Sequence, residues 1–291
     1  MRTCAPMEAP LVKPIDLWKK KKHRSLAKAV KARLPKSEFN SAAIPRKQIT
    51  RFSSLGDRTP TLHPTWKSLD TSRLSAACLF ERARLQLFMA GVIHPLLTRS
   101  KLDFYHVIVA DKRWRVSPPS ATHKSFDPPR RKVRSAIEKL RSDGYKPIFL
   151  AAYEMSGNHS LEEPYVFEPH VHLIVGGAPV EALKAAFQVR LPRGARGRDK
   201  PVRVSFIQNS ELGNLLGYLT KMKAQDRVEY LGSNGRTNRA SNRMRSVEAN
   251  LWLRCMATLP ITHAIQFGGF ATSVTALFIN AEMATIVRAL K

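Results

Sequence analysis

The chain has 291 residues, 43% of them hydrophobic, which is enough to bury a core. Its 49 Lys and Arg outweigh 22 Asp and Glu for a net charge of +27, a balance that points to a polyanionic partner rather than to a fold. Three scattered cysteines, Cys4, Cys78 and Cys255, exclude a disulfide framework and a paired-cysteine zinc site, and the lack of a GxxxxGK[ST] run argues against an ATP-driven motor.

Residues 1–60 are rich in Lys, Arg, Pro and Ser, with the densest run at Lys19 to Lys22. This composition predicts a flexible basic arm able to grip phosphates. Residues 61–100 read as a helical flank, with apolar spacing over 70–98 that predicts a helix ending near Gly91 or Pro95.

From residue 101 the pattern is orderly. DFYHVIVA (103–110) predicts a strand, PPRRKVRSAIEKLRS (128–142) a helix stopped by Asp143-Gly144, and PIFLAAY (147–153) a second strand. FEPHVHLIV (167–175) predicts a third strand, PVEALKAAFQ (179–188) a helix with proline in its first turn, and VRVSFI (202–207) a fourth strand. Ser210 then caps a helix expected to run to about Lys223.

The order β-α-β-β-α-β-α is that of a ferredoxin-like, RRM-like split βαβ domain over 101–225: an α+β fold with an antiparallel sheet and helices on one face. Residues 226–291 are expected to form a basic loop and a helical C-terminal region. Within it, 264–281 is apolar on average but broken by Gln266, Thr272, Ser273, Thr275 and Asn280, so it reads as a buried helix and not a membrane span.

The chemistry concentrates on two elements. His170 and His172 are two apart in a strand and so project from one face, with imidazoles placed to hold a divalent metal. Glu154, at the end of the neighbouring strand, is the candidate third ligand, and Glu168 competes with it from the histidine face. His159 lies in the loop between those strands and reads as a solvent-exposed histidine. A mixed imidazole and carboxylate set suits Mn²⁺ or Mg²⁺. Tyr218 lies in the last helix, in LLGYLTKMK, with Lys221 three residues on and so on the same helical face. A cation beside a phenol favours the phenolate.

These two segments resemble the motifs of the HUH endonuclease superfamily. FEPHVHLIV is similar to the HUH motif and GYLTK to the YxxK motif of the nucleophile, 46 residues later, while DFYHVIVA stands where the family has its first motif strand. The resemblance covers roughly residues 101–225. A tyrosine after the histidine strand, with Met222 where a second tyrosine would stand, resembles the single-tyrosine rolling-circle replication initiators of plasmids and phages.

It implies nicking and rejoining of single-stranded DNA through a 5′-phosphotyrosine, with Tyr218 as nucleophile, Lys221 as its helper, and His170, His172 and Glu154 around Mn²⁺ or Mg²⁺. Single-stranded or hairpin origin DNA would be the partner, with host helicase and polymerase as further candidates and no membrane, in a bacterial cytoplasm. Arg190, Arg193, Arg196, Arg198 and Lys200 in one loop, and Arg236 and Arg239 in the C-terminal region, are candidate phosphate contacts. Trp114 and Tyr230 are candidate base-stacking residues. Two other readings stand beside this one: a single-tyrosine transposase with the same chemistry, and a non-catalytic nucleic-acid-binding protein on an RRM-like sheet.

Overall fold

A computed structural model of the chain describes residues 76, 85–86, 88–188, 201–220, 222, 224–270 and 274–275. The basic arm over 1–60, the arginine loop residues Arg190, Arg193, Arg196, Arg198 and Lys200, and also Lys221, lie outside the described residues.

The first crossover shows how the sequence dictates the layer. Helix α1 (His94–Arg99) leads into strand β1 (Phe104–Ala110), and helix α2 (Asp127–Ser142) follows with two prolines in its first turn. Proline fits there because its missing N–H would have had no helical partner. Pro129, Val133, Ala136, Ile137 and Leu140 are buried along α2 at helical spacing. The helix stops where Gly144 adopts φ +88, a left-handed conformation that costs glycine little.

Strands β2 (Ile148–His159) and β3 (Val166–Gly176) pair antiparallel along their length, from Ile148 opposite Gly176 to Asn158 opposite Val166. The second crossover helix, α3 (Val180–Phe187), returns the chain to β4 (Val202–Phe206) beside β1. The sheet order is β4-β1-β3-β2, all antiparallel, and α2 packs against α3 on one side of it. From Phe167 onward β3 is buried on both faces. Each fully buried Val, Leu or Ile there contributes about 1.5–3 kcal/mol, so the strand that carries the histidines is also the centre of the core.

That burial departs from the expected open face. Helix α4 (Asn209–Leu219) brings a ring contact from Tyr218 to His172 on the histidine face, and α4 itself packs against α1 and the π-helical turn Met89–Ile93. Leu212, Leu216 and Leu219 supply the buried side of α4. The face is closed because its Ile174, Leu150 and Ala152, buried beside the histidines, expose too much apolar surface to be left in water.

The sheet also continues past residue 225, where a basic loop and helices were expected. Strands β5 (Gln225–Leu231) and β6 (Thr237–Arg243) form a hairpin, followed by α5 (Ser246–Ala257), α6 (Ile261–Ala264) and β7 (Ile265–Gly268). The outer edge of β2 is shared. Phe149 to Ala152 pair antiparallel with β7, and Gly157 to His159 pair parallel with β5. The start of the apolar 264–281 segment is thus a short strand and not a helix, because an unpaired β2 edge offers its backbone more hydrogen bonds than an isolated turn would. No helix among the described residues is long and apolar enough to cross a membrane.

Trp252 on α5 is 1% exposed, and its indole N–H donates to the Met155 carbonyl at 2.8 Å, fastening the C-terminal region to β2.

Candidate metal centre

Register builds the site. Glu154 stands directly opposite His170 and Ala152 opposite His172, so the Glu154 carboxylate lies beside both imidazoles on one face. Glu154 Oε2 is 3.7 Å from His170 Nε2 and 4.0 Å from His172 Nε2. The three residues offer ligand atoms that all lie within 4.8 Å of one another. The histidines are 2% and 3% exposed.

Hydrogen bonds at Nδ1 orient both imidazoles. His170 Nδ1 lies 3.0 Å from the Glu168 carbonyl oxygen. A carbonyl only accepts, so Nδ1 carries the proton and the Nε2 lone pair faces Glu154. His172 Nδ1 shares a hydrogen bond with His106 Nε2 at 3.1 Å, and the two rings stack with centroids 5.3 Å apart. Burial pushes the His106 imidazole down to about 4, so at neutral pH it is uncharged and can accept the His172 proton. That leaves His172 Nε2 to face Glu154.

Two imidazoles and a carboxylate on one face could hold a divalent ion. Ligand bonds of about 2.0–2.2 Å would bring adjacent donors to roughly 3 Å, so donor atoms now up to 4.8 Å apart would have to close by up to about 2 Å. The donor set does not choose the metal.

Glu168, the competing carboxylate, is engaged elsewhere. Arg115 donates to it at 3.1 Å, and Arg227 lies 3.9 Å away. His159 is the last residue of β2 and not part of a loop, with its ring against Tyr165 and its Nε2 3.4 Å from Asp226. It stands apart from the triad.

Tyr218 completes the group. Its ring meets His172 edge-on, with centroids 5.5 Å apart and 75° between the planes, and 38% of the residue is exposed. Burial raises its phenol above the usual tyrosine value, the Glu154 carboxylate raises it further, and the Arg227 guanidinium draws it back. α4 ends at Leu219, and Thr220 turns its hydroxyl back to the Leu216 and Gly217 carbonyls as the helix closes.

Two residues of the site were not foreseen. His106 sits in a strand read as structural, and only the pairing of β1 with β3 brings it beside His172. Arg227, in the region read as a loop, reaches His170 Nε2 at 3.4 Å from the start of β5. A β-branched and aromatic alternation around 225–231 was the available signal for a strand, and it is weak there.

Of the remaining candidates, Arg236 is exposed at the turn between β5 and β6, and Arg239 is exposed on β6 with donors at 3.0 and 2.7 Å to Glu229. Tyr230 is 46% exposed on the opposite face of the hairpin from Arg227. Trp114 lines an open cleft of about 410 Å³ with Arg113, Arg131 and Lys132, away from the triad.

No family model matches the chain, and no curated protein and no solved structure matches it either.

Proposed function

We propose that the chain is a metal-dependent DNA strand-nicking and rejoining enzyme of the HUH type with one nucleophilic tyrosine, acting as a rolling-circle replication initiator. The observation that carries this reading is the edge-on contact of Tyr218 with His172 beside the cluster of Glu154, His170 and His172. A buried metal-binding triad alone has many uses. A half-exposed tyrosine from a later helix, set against one of its ligands, has few. The strand order β4-β1-β3-β2 with two crossover helices agrees with a ferredoxin-like palm. A sheet-surface RNA- or DNA-binding module instead needs an open face, and here the central histidines are 2% and 3% exposed.

Mn²⁺ or Mg²⁺ held by the triad would polarise the oxygens of a bound phosphodiester. His106 and the Glu168 carbonyl keep the two imidazoles oriented, and α4 sets the Tyr218 ring against His172. The Tyr218 oxygen attacks phosphorus, the P–O3′ bond breaks, and the phenol proton ends on the departing 3′ oxygen. The product is a 5′-phosphotyrosine and a free 3′-hydroxyl. The bond energy is kept, so the 3′-hydroxyl can reverse the step and rejoin DNA.

The test is incubation with Mn²⁺ and a labelled pool of single-stranded oligonucleotides with random and hairpin-bearing segments, followed by denaturing gels. A protease-sensitive, metal-dependent adduct is expected. Binding without any adduct in Mn²⁺ or Mg²⁺ would overturn the reading in favour of a non-catalytic binder.

A further inference from the structure

The β5–β6 hairpin places its charge with a clear sidedness. Residues directly opposite in an antiparallel pair share a face, and alternate residues along a strand do too. Arg227 is opposite Ser241, Glu229 is opposite Arg239, and Gln225 is opposite Arg243. Arg227, Arg239 and Arg243 therefore share one face, and both β6 arginines are diagonal neighbours of Arg227 at roughly 7–8 Å.

Parallel pairing sets Arg227 beside Asn158, two steps along β2 from Ser156 and four from Glu154. The arginine face of the hairpin is thus the outward continuation of the histidine face. Contact confirms the direction, since Arg227 Nη2 is 3.4 Å from His170 Nε2.

On the hairpin itself this face carries three arginines, Arg227, Arg239 and Arg243, against one acid. That acid, Glu229, is matched by Arg239. Glu168 lies 3.9 Å from Arg227 and already accepts from Arg115 at 3.1 Å. A guanidinium has five N–H donors in a planar fork suited to two oxygens of one phosphate. Arg239 and Arg243 are exposed. A side chain one-third exposed at the mouth of a buried site, backed by two exposed arginines, is an arrangement for a chain of phosphates entering from solvent.

We propose that the β5–β6 hairpin is the track along which a single DNA strand reaches Tyr218, with Arg227 gripping the phosphate nearest the triad and Arg243 and Arg239 gripping those that lead out to solvent. The proposal rests on the nickase reading for the identity of the strand. Binding to the track is separable from cutting.

The experiment is fluorescence anisotropy of a labelled oligothymidylate with the full chain, in EDTA so that no cleavage enters, over 50–300 mM salt. Arg243→Ala and Arg239→Ala are expected to weaken binding several-fold each at low salt. Each should also flatten the plot of log K against log salt by about 0.7, the loss of one phosphate contact to a single strand. Arg141→Ala on α2, an exposed arginine outside the hairpin, is the control and should change both quantities less.

Hairpin variants that bind with wild-type affinity and slope, or an Arg141→Ala loss as large as theirs, would overturn the proposal even if wild type forms the phosphotyrosine adduct. Hairpin variants that lose binding while wild type never forms an adduct would uphold the track and sink the nickase. Loss of binding to anionic vesicles without loss of binding to the oligonucleotide would assign the strip to a lipid surface and overturn it. Thermal melts of each variant show that the exposed substitutions leave the fold in place.

Discussion

Tyr218 and His172 meet edge to face although they come from elements 46 residues apart, a helix and a central strand. The contact would tie the position of the proposed nucleophile to that of a candidate metal ligand. α4 is held in place by its buried leucines and by its packing against α1 and the turn Met89–Ile93.

Tyr218→Phe removes one oxygen and keeps the ring contact. It is expected to abolish any covalent DNA adduct, by at least about 10³-fold, which corresponds to about 4 kcal/mol of barrier, and to leave the melting temperature within a degree or two. Denaturing gels and thermal melts check the two halves. An adduct that persists in Tyr218→Phe would remove the residue from the chemistry.

Metal binding is the second expectation. Isothermal titration with Mn²⁺ should show one site that is lost in His170→Ala and in His172→Ala and weakened in Glu154→Gln. His106→Ala leaves Glu154, His170 and His172 in place and removes the hydrogen-bond partner and stacking ring of His172. Losing the hydrogen-bond partner of a ligating histidine typically costs 10–100-fold in metal affinity. Wild-type Mn²⁺ affinity in His106→Ala would show that the hydrogen bond at 3.1 Å does not orient the ligand.

Gly157 joins β2 to β5 at a point where a side chain has no room. A Cβ there would run into the Asp226 carboxylate and the Tyr165 hydroxyl, which are themselves hydrogen-bonded at 2.8 Å. Gly157→Ala is expected to destabilise the fold by about 1–3 kcal/mol and to loosen the hairpin that carries Arg227. Chemical denaturation measures the first effect, and hydrogen exchange at residues 225–231 the second. Unchanged protection there would show that β5 is held by other contacts.

Cys255 should be chemically silent in the folded protein. Burial pushes its thiol up to about 12, so the reactive thiolate is roughly one part in 10⁴ at pH 8. Iodoacetamide at pH 8 followed by peptide mapping should leave Cys255 unmodified until denaturant is added. The sign is that of an acid whose charged form is disfavoured by the core, so raising the pH towards 12 favours unfolding through this group. Rapid labelling under native conditions would mean that α5 opens readily.

Sequence periodicity by itself determined the alternation of strands and helices from 104 to 219, because apolar spacing of two or near 3.6 is a local property, but it ended β2 at Tyr153, six residues short of its end at His159. It also placed His170 and His172 on one face and singled out Glu154 and Tyr218. Pairing decided the rest. Which carboxylate joins the histidines depends on the β2–β3 register that sets Glu154 opposite His170 while ion pairs occupy Glu168. The roles of His106 and Arg227 depend on β1–β3 and β2–β5 contacts that no local pattern encodes. The end of α4 at Leu219, short of the expected Lys223, turned on side-chain hydrogen bonds of Thr220 back to its own helix. The strand at Ile265–Gly268 formed for the same kind of reason: a partner edge on β2, distant in sequence, satisfied its backbone and overrode its helical composition.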